Sequence, residues 1–163
     1  MCIRDSFYND LTLPDSVYTT AEELRGLITL NNSSFSITHV NCRSLNKNFT
    51  ELISLLNQIQ ITVSAICVTE TWTSACTEND YYIPGYNFFA KSRTHKSGGG
   101  VDIYVLNNIE CKTRTDFCFS NADFAESVFV ELPTLHVIVG CVYKHQTQML
   151  NSLVLHLIIY CLN

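Results

Sequence analysis

The sequence predicts a mixed α/β domain in which a helix joins two parallel strands, and three segments predict this. Ser36–Val40 alternates between polar and apolar residues, as a strand with one buried face does. Phe49–Ile59 carries its apolar side chains on one helical face. Ile61–Val68 is an uncharged run of mostly small and β-branched residues, which is typical of a strand buried on both faces. A strand, a helix and a strand at this spacing form a right-handed crossover, so the two strands should run parallel.

The amino-acid composition limits the classes of protein to which this chain can belong. The chain has 163 residues, of which 47% are hydrophobic and 15% charged, and its net charge is -5. These values suit one globular domain and argue against a generally basic nucleic-acid clamp. Most of the eight cysteines lie in or beside apolar runs and no CxxC pair occurs, so we expect reduced thiols and no disulfide-linked partner. Reduced thiols indicate an intracellular protein, either nuclear or cytoplasmic.

The boundaries of the domain follow from the patterning. Residues 1–34 are weakly patterned and are interpreted as an amino-terminal extension, whereas residues 35–163 are interpreted as the domain. Asn48 and Glu51 have the spacing of a capping box, which predicts that the helix begins near Phe49. No apolar segment typical of a signal peptide opens the chain, and Leu153–Leu162 is too short to span a bilayer. We therefore expect no membrane partner.

Two polar residues follow the predicted parallel strands. Asn41 comes directly after the first strand, and Glu70 follows the buried strand that ends at Val68. The carboxyl ends of parallel strands share one edge of a sheet, where ligands bind in open α/β folds, so we expect Asn41 and Glu70 to meet there. By position alone, Glu70 is equally consistent with a solvated side chain that opens a loop.

The second half of the chain is predicted to be mostly β-structure. A short strand over Asn87–Ala90 precedes a basic loop, and three glycines then lead into a strand over Val101–Leu106. The glycines do not form a phosphate-binding P-loop, because no Gly-Lys-Ser/Thr sequence follows them. Ala125–Leu132 and Leu135–Tyr143 should pair as an antiparallel hairpin. Met149–Leu162 is predicted to be a helix.

Several segments, in a consistent order, carry a resemblance to a known family. VNCRSL, ICVTETW, IPGY, GGGVDIYV, ESVFVEL and VIVGCVYK resemble the amino-terminal part of the endonuclease/exonuclease/phosphatase (DNase I-like) superfamily. Within it, the chain is most similar to the endonuclease domain of LINE-type, non-LTR retrotransposons, which is associated with a reverse transcriptase. The similarity covers about Ser36–Lys144. It implies a four-layer α/β sandwich and a hydrolase that cleaves phosphodiester bonds in DNA with Mg²⁺ or Mn²⁺.

The resemblance also implies roles for individual residues. Asn41 matches the family asparagine that helps to hold the metal and the phosphate, and Glu70 matches the metal-ligating glutamate. Tyr143 matches the tyrosine that lies near the scissile phosphate. These residue types accord with the chemistry, because Mg²⁺ prefers oxygen ligands and is often held by only one or two carboxylates together with water and substrate phosphate.

The sequence also departs from the family pattern. Lys144-His145-Gln146 stands where the family has arginine and prolines, and Asp102 stands where a small residue is usual. No Asp-x-Asn and no Ser-Asp-His follows Tyr143, although the family uses the His–Asp pair to activate water. We therefore expect an amino-terminal fragment, which is an incomplete sandwich made mostly of the first sheet and its flanking helices. Its apolar inner face would then be largely uncovered and prone to aggregation.

Several functions remain open on these observations. The favoured hypothesis is a truncated, catalytically inactive copy of the nuclease, whereas an active nuclease would need the missing elements. A second hypothesis is a non-catalytic remnant that binds nucleic acid, and a phosphatase acting on a small phosphoester is a third, because one fold hosts many substrates. The residues that would bind nucleic acid are basic or aromatic: Arg43, Arg93, Lys96, Tyr81 and Tyr82.

Overall fold

The computed structural model describes residues 20, 22–23, 25–26, 35–60, 62–74, 80–91, 99–118, 120–121, 125–144 and 155–161. These residues include one long α-helix and nine strands, which form two sheets. The chain is therefore a mixed α/β protein, as the sequence predicts. The extension predicted over residues 1–34 lies almost wholly outside the described residues.

The first sheet contains the parallel pair that the sequence predicts. Its strands are β1 (Ile37–Asn41), β2 (Ala65–Thr69), β3 (Tyr86–Lys91) and β4 (Val101–Leu106), in the spatial order β1-β2-β4-β3. β1 and β2 pair in parallel, so their carboxyl ends lie at one edge, and β4 is antiparallel to β2 and β3. Every residue of β2 is buried, which confirms that this strand is covered on both faces.

The helix α1 (Leu45–Ile59) covers the outer face of the first sheet. Its buried residues Leu45, Leu52 and Ile59 belong to one cluster with Ile66 and Val68 of β2. The predicted capping box is wrong, since the helix begins at Leu45 rather than near Phe49.

Hydrogen bonds to carbonyl groups outside the helix hold its first turn instead. The amide of Asn48 donates to the Cys42 carbonyl at 2.7 Å, and the N–H of Leu45 donates to the Thr71 carbonyl at 2.9 Å. Backbone beyond the end of β2 thus satisfies one of the first-turn donors of the helix.

The second sheet is larger than expected. Its strands are β5 (Lys112–Thr113), β6 (Ser120–Asn121), β7 (Ala125–Leu132), β8 (Val137–Lys144) and β9 (Leu155–Cys161). The order is β5-β7-β8-β9, and β6 also pairs with β7. β7 and β8 form the predicted antiparallel hairpin, joined by a 3₁₀ turn over Pro133–Leu135.

The predicted helix over Met149–Leu162 is wrong. Residues Leu155–Cys161 instead form β9, which pairs antiparallel with β8 from Val137 to Tyr143. A short apolar run fits a buried strand and a buried helix equally well by periodicity. The free backbone groups at the edge of β8 decide between them, because a paired strand satisfies those groups and a helix does not.

The two sheets pack face to face. Their shared core is made of inner-facing residues, none more than 7% exposed: Ala65, Cys67, Val101, Ile103, Val105, Val128, Val130, Leu132, Val139, Cys141 and Tyr143. The expectation of a structure made mostly of the first sheet is therefore wrong. β7 and β8, which were expected to lose their cover, belong to the second sheet and cover the inner face of the first. α1 and the two sheets make three layers among the described elements.

Gly140 provides a test of the packing between β7 and β8. It lies opposite Phe129, and a methyl group at Gly140 would overlap the Phe129 ring. We expect Gly140→Ala to lower the free energy of unfolding by about 1 kcal/mol or more, since overpacking forces the ring out of its site. Urea unfolding measures this. Gly26→Ala, where a methyl group meets open space, is the control. Equal unfolding free energies for wild type and Gly140→Ala would contradict the packing.

Candidate functional site

Asn41 and Glu70 meet at the carboxyl edge of the parallel pair. Asn41 is the last residue of β1, and it lies in register with Thr69, the last residue of β2. Glu70 follows at once, and the Asn41 Nδ2 donates a hydrogen bond to the Glu70 Oε1 at 2.8 Å. The carboxylate requires a donor here, and this requirement fixes the orientation of the Asn41 amide.

This orientation leaves an oxygen without a protein partner. The Asn41 Oδ1 is buried and accepts no hydrogen bond in the described structure. Buried polar atoms are nearly always satisfied, so an unsatisfied carbonyl oxygen beside a carboxylate is a sign that a cation or water completes the site. Amide and carboxylate oxygens are also the ligands that Mg²⁺ and Mn²⁺ prefer. The two residues present therefore fit a hard divalent cation.

The segment that carries Glu70 is held from both sides. On one side, the N–H groups of Cys42 and Ser44 donate to the carbonyls of Thr69 and Glu70 at 2.9 and 2.7 Å. On the other side, the N–H of Trp72 donates to the Gly99 carbonyl at 2.9 Å. These bonds stabilise an unusual backbone.

Residues at this edge adopt positive φ. Glu70 and Trp72 both have φ of 54°, and Arg43 and Ser44 across the ladder have φ of 46° and 95°. Each non-glycine residue in this region costs about 1–3 kcal/mol and persists only where its surroundings determine it. Such residues cluster at functional sites, which supports the assignment of this edge as the site.

Tyr143 lies at the same end of the sandwich. It ends the inner face of β8, is 7% exposed, and is paired with Glu126 of β7. The carboxyl group of Glu126 accepts a hydrogen bond from the Gly100 N–H, and Gly100 is next to the backbone that bonds Trp72. Cys141, two residues before Tyr143, donates to the Val68 carbonyl at 3.8 Å. β2 and β8 therefore end on the same side, which brings Tyr143 to the edge that carries Asn41 and Glu70.

The residues expected to bind nucleic acid are only partly described. Arg43 is exposed and, together with Asn41, lines an open cleft of about 350 Å³ between β1 and α1. Glu70 does not line this cleft. Tyr82 is 63% exposed and free to stack, whereas Tyr81 is 8% exposed and packs its ring edge-on against Phe49.

The expectation that Tyr81 stacks on a base is therefore wrong, because its apolar ring is more stable in the core. Arg93 and Lys96 lie outside the described residues.

His39 is a residue of β1 whose side chain has a hydrogen-bond partner. Its Nε2 lies 3.2 Å from the Thr69 Oγ1, and burial lowers the pKa of its imidazole. Cys42, next to Asn41, is not a reactive thiol at neutral pH. Burial and the nearby charges of Asp102 and Glu51 raise its pKa to about 11.

The sequence analysis assigned no functional role to three residues at this end of the molecule. Trp72, the sole tryptophan, is 47% exposed although it lies only two residues after Glu70. Glu126 and Asp102 are both fully buried carboxyl groups. A carboxyl group inside an otherwise apolar strand pattern, as in ESVFVEL and GGGVDIYV, was the available signal. It did not reveal which face of the strand each carboxyl group would occupy.

Two other features are absent from the described residues. No group of three or more His, Cys, Asp or Glu side chains is arranged to hold a metal ion there. A site made of Asn41 and Glu70 thus offers one carboxylate. None of the helices in this part of the chain is both long enough and apolar enough to cross a membrane.

Comparison with known proteins assigns no family. The sequence matches no protein-family model, and no curated protein matches it either. The resemblance to the DNase I-like superfamily therefore rests on the order of the motifs in the sequence.

His39 gives a prediction for pH dependence. Because burial lowers its pKa in the folded protein, the unfolded chain binds a proton first as the pH falls through about 6.5. The stability contributed by neutral His39 is present above that pH and is lost below it. We expect the drop in unfolding free energy between pH 7.5 and 5.5 to be smaller in His39→Asn than in wild type.

The matched control for this experiment is the exposed His136. His136→Asn should leave the pH dependence close to that of wild type. Urea unfolding at each pH measures all three proteins, and the same drop in His39→Asn as in wild type would contradict the assignment.

Proposed function

We propose that this chain carries the metal-binding edge of a DNase I-like endonuclease domain, of the kind found in LINE-type retrotransposons, and that its substrate is DNA. The observation that carries the proposal is the hydrogen bond between Asn41 and Glu70, together with the buried Asn41 Oδ1, which accepts no hydrogen bond from the described residues. The order of the motifs along the chain supports the same family. So does the packing of two sheets with a helix on the outer face of the first.

In this proposal each residue has a separate role. Asn41 and Glu70 would hold Mg²⁺ or Mn²⁺ through their side-chain oxygens, with water and substrate phosphate completing the coordination. The ion, when bound, supplies neutralisation of charge on the phosphoryl oxygens. Tyr143 would lie near the scissile phosphate, and the exposed Arg43 would contact a neighbouring phosphate of the backbone. This arrangement binds and orients a phosphodiester.

We do not propose that this polypeptide cleaves DNA by itself. Hydrolysis needs a positioned base, and the 163 residues contain no Asp-x-Asn and no Ser-Asp-His sequence after Tyr143. His39, the histidine nearest to the site in sequence, is hydrogen-bonded to Thr69 and partly buried in the sheet. A positioned base typically contributes about 10²- to 10⁴-fold to the rate.

A second candidate function is binding of nucleic acid without cleavage. The exposure of Trp72 and Tyr82, at 47% and 63%, favours it, since aromatic faces stack on unpaired bases. Arg43 adds an exposed positive charge near the same edge. The two functions differ in whether a metal ion is needed.

Metal binding is the first test. We expect the protein to bind Mn²⁺ and Glu70→Gln to bind it at least tenfold more weakly, because the amide keeps an acceptor for Asn41 but loses the ligand charge. Isothermal calorimetry measures the affinity. Glu131→Gln is the control. It makes the same change at a carboxylate of β7 that forms an ion pair with Arg114. No Mn²⁺ binding by the wild type, or equal binding by Glu70→Gln, would refute the site.

Nicking of supercoiled plasmid is the second test. We expect no conversion above background by the purified 163-residue polypeptide in Mg²⁺ or Mn²⁺, because its sequence has no Asp-x-Asn and no Ser-Asp-His after Tyr143 to supply a base. Agarose gels with wild type and Glu70→Gln side by side distinguish the protein from a contaminant. Nicking by wild type that disappears in Glu70→Gln would show that the polypeptide is active after all.

A further inference from the structure

Glu126 is a fully buried acidic residue to which the proposed function gives no role. It lies at the start of β7, on the face that packs against the first sheet, and it is paired with Tyr143. The next inner-facing residues of β7 are Val128, Val130 and Leu132. Burial of a carboxyl group costs free energy unless hydrogen bonds compensate, so an apolar residue would serve packing alone better.

The carboxyl group of Glu126 contacts the loop that leads into β4. Its Oε2 accepts a hydrogen bond from the Gly100 N–H at 3.0 Å, and this bond is buried. Glu126 thus joins the second sheet to a point of the first sheet that lies directly beside the candidate site.

Gly99 and Gly100 connect this contact to residues 70–72, which we call the site segment. The Gly99 carbonyl accepts from the Trp72 N–H at 2.9 Å, and the Gly100 carbonyl accepts from the Thr71 N–H at 3.5 Å. Gly100 has φ of 89°, and a methyl group there would overlap the Thr71 Oγ1. Gly100 is therefore packed against the Thr71 side chain as well as hydrogen-bonded to the Thr71 backbone, so we expect a shift of Gly100 to disturb residues 71 and 72.

The site segment needs such support because its own backbone is strained. Glu70 and Trp72 both lie in the left-handed region, and the bonds from Cys42 and Ser44 hold the segment on one side only. Gly99 and Gly100 hold the other side. The Glu126 carboxyl group fixes Gly100 in turn.

We propose that Glu126 is a positioning residue for the candidate metal site. Through Gly100 it holds the backbone of residues 70–72 in the conformation that directs the Glu70 carboxylate towards Asn41. The part of this proposal that concerns metal affinity rests on the proposed function. The part that concerns the conformation of residues 70–72 does not depend on it.

The test compares three variants with wild type. Glu126→Met keeps a long buried side chain but removes the acceptor for Gly100, and Glu126→Gln restores an acceptor oxygen. Glu131→Met makes the same chemical change on the same strand, at a residue paired with Arg114. Because Trp72 is the sole tryptophan, its fluorescence reports on the site segment alone.

Two measurements decide the proposal. Acrylamide quenching of Trp72 without metal should change in Glu126→Met and return towards wild type in Glu126→Gln. Affinity for Mn²⁺ should fall by about tenfold or more in Glu126→Met, which is the usual effect of losing a partner that orients a ligand, and should largely recover in Glu126→Gln. Glu131→Met should change neither value, whatever its effect on thermal stability.

The outcomes separate this inference from the proposed function. If wild type binds no Mn²⁺, the proposed function fails, and the quenching comparison alone decides the positioning role. If wild type binds Mn²⁺ and Glu126→Met has wild-type affinity and quenching, the inference is overturned and the proposed function stands. If Glu126→Met does not fold, Gly100→Ala tests the same contact by changing Gly100 instead of Glu126. Unchanged quenching in Gly100→Ala would likewise overturn the inference.

Discussion

The candidate site depends on one feature of the backbone, the parallel ladder of β1 and β2 that continues beyond both strands. The N–H groups of Cys42, Ser44 and Leu45 donate to the carbonyls of Thr69, Glu70 and Thr71. The same bonds determine where α1 begins, because Leu45 is its first residue. The helix, both strand ends and the Glu70 backbone thus share one set of hydrogen bonds. A functional side chain built on regular elements is placed more accurately than one on a free loop.

The second sheet adds two things to this edge. Its inner face covers the inner face of the first sheet, so Cys67 of β2 and Val101 of β4, close to this edge, are fully buried. It also contributes Glu126 and Tyr143, which reach the edge from β7 and β8. The site is therefore a product of both sheets, although its two proposed metal ligands come from the first.

Buried polar groups are concentrated at this end of the molecule. Asp102 and Glu126 are fully buried, as are Thr69 and Thr71 on either side of Glu70. The middle of the interface between the sheets is filled by valine, isoleucine and leucine instead. Buried carboxyl and hydroxyl groups cost stability unless hydrogen bonds compensate, so their concentration beside strained backbone distinguishes this edge from the rest of the interface.

The local sequence pattern was sufficient to predict those elements whose conformation depends mainly on their own residues. β2 could be identified because its composition suits burial on both faces, and the parallel pairing with β1 followed from the helix between them. The meeting of Asn41 and Glu70 followed in turn, since parallel strands end at one edge. The hairpin of β7 and β8 was also predictable, because a proline turn separates two runs with strand composition.

Tertiary structure decided the rest. The sequence around Leu155–Cys161 fits a helix as well as a strand, and the open edge of β8 made it a strand. Tyr81 and Tyr82 are identical in type and adjacent, yet the side chain of one is buried and that of the other exposed. The hydrogen bond from Gly100 to the Glu126 carboxyl group exists only because β7 packs against the start of β4. The physical reason is common to all three: local sequence sets which conformations are possible, and contacts with residues far along the chain select among them.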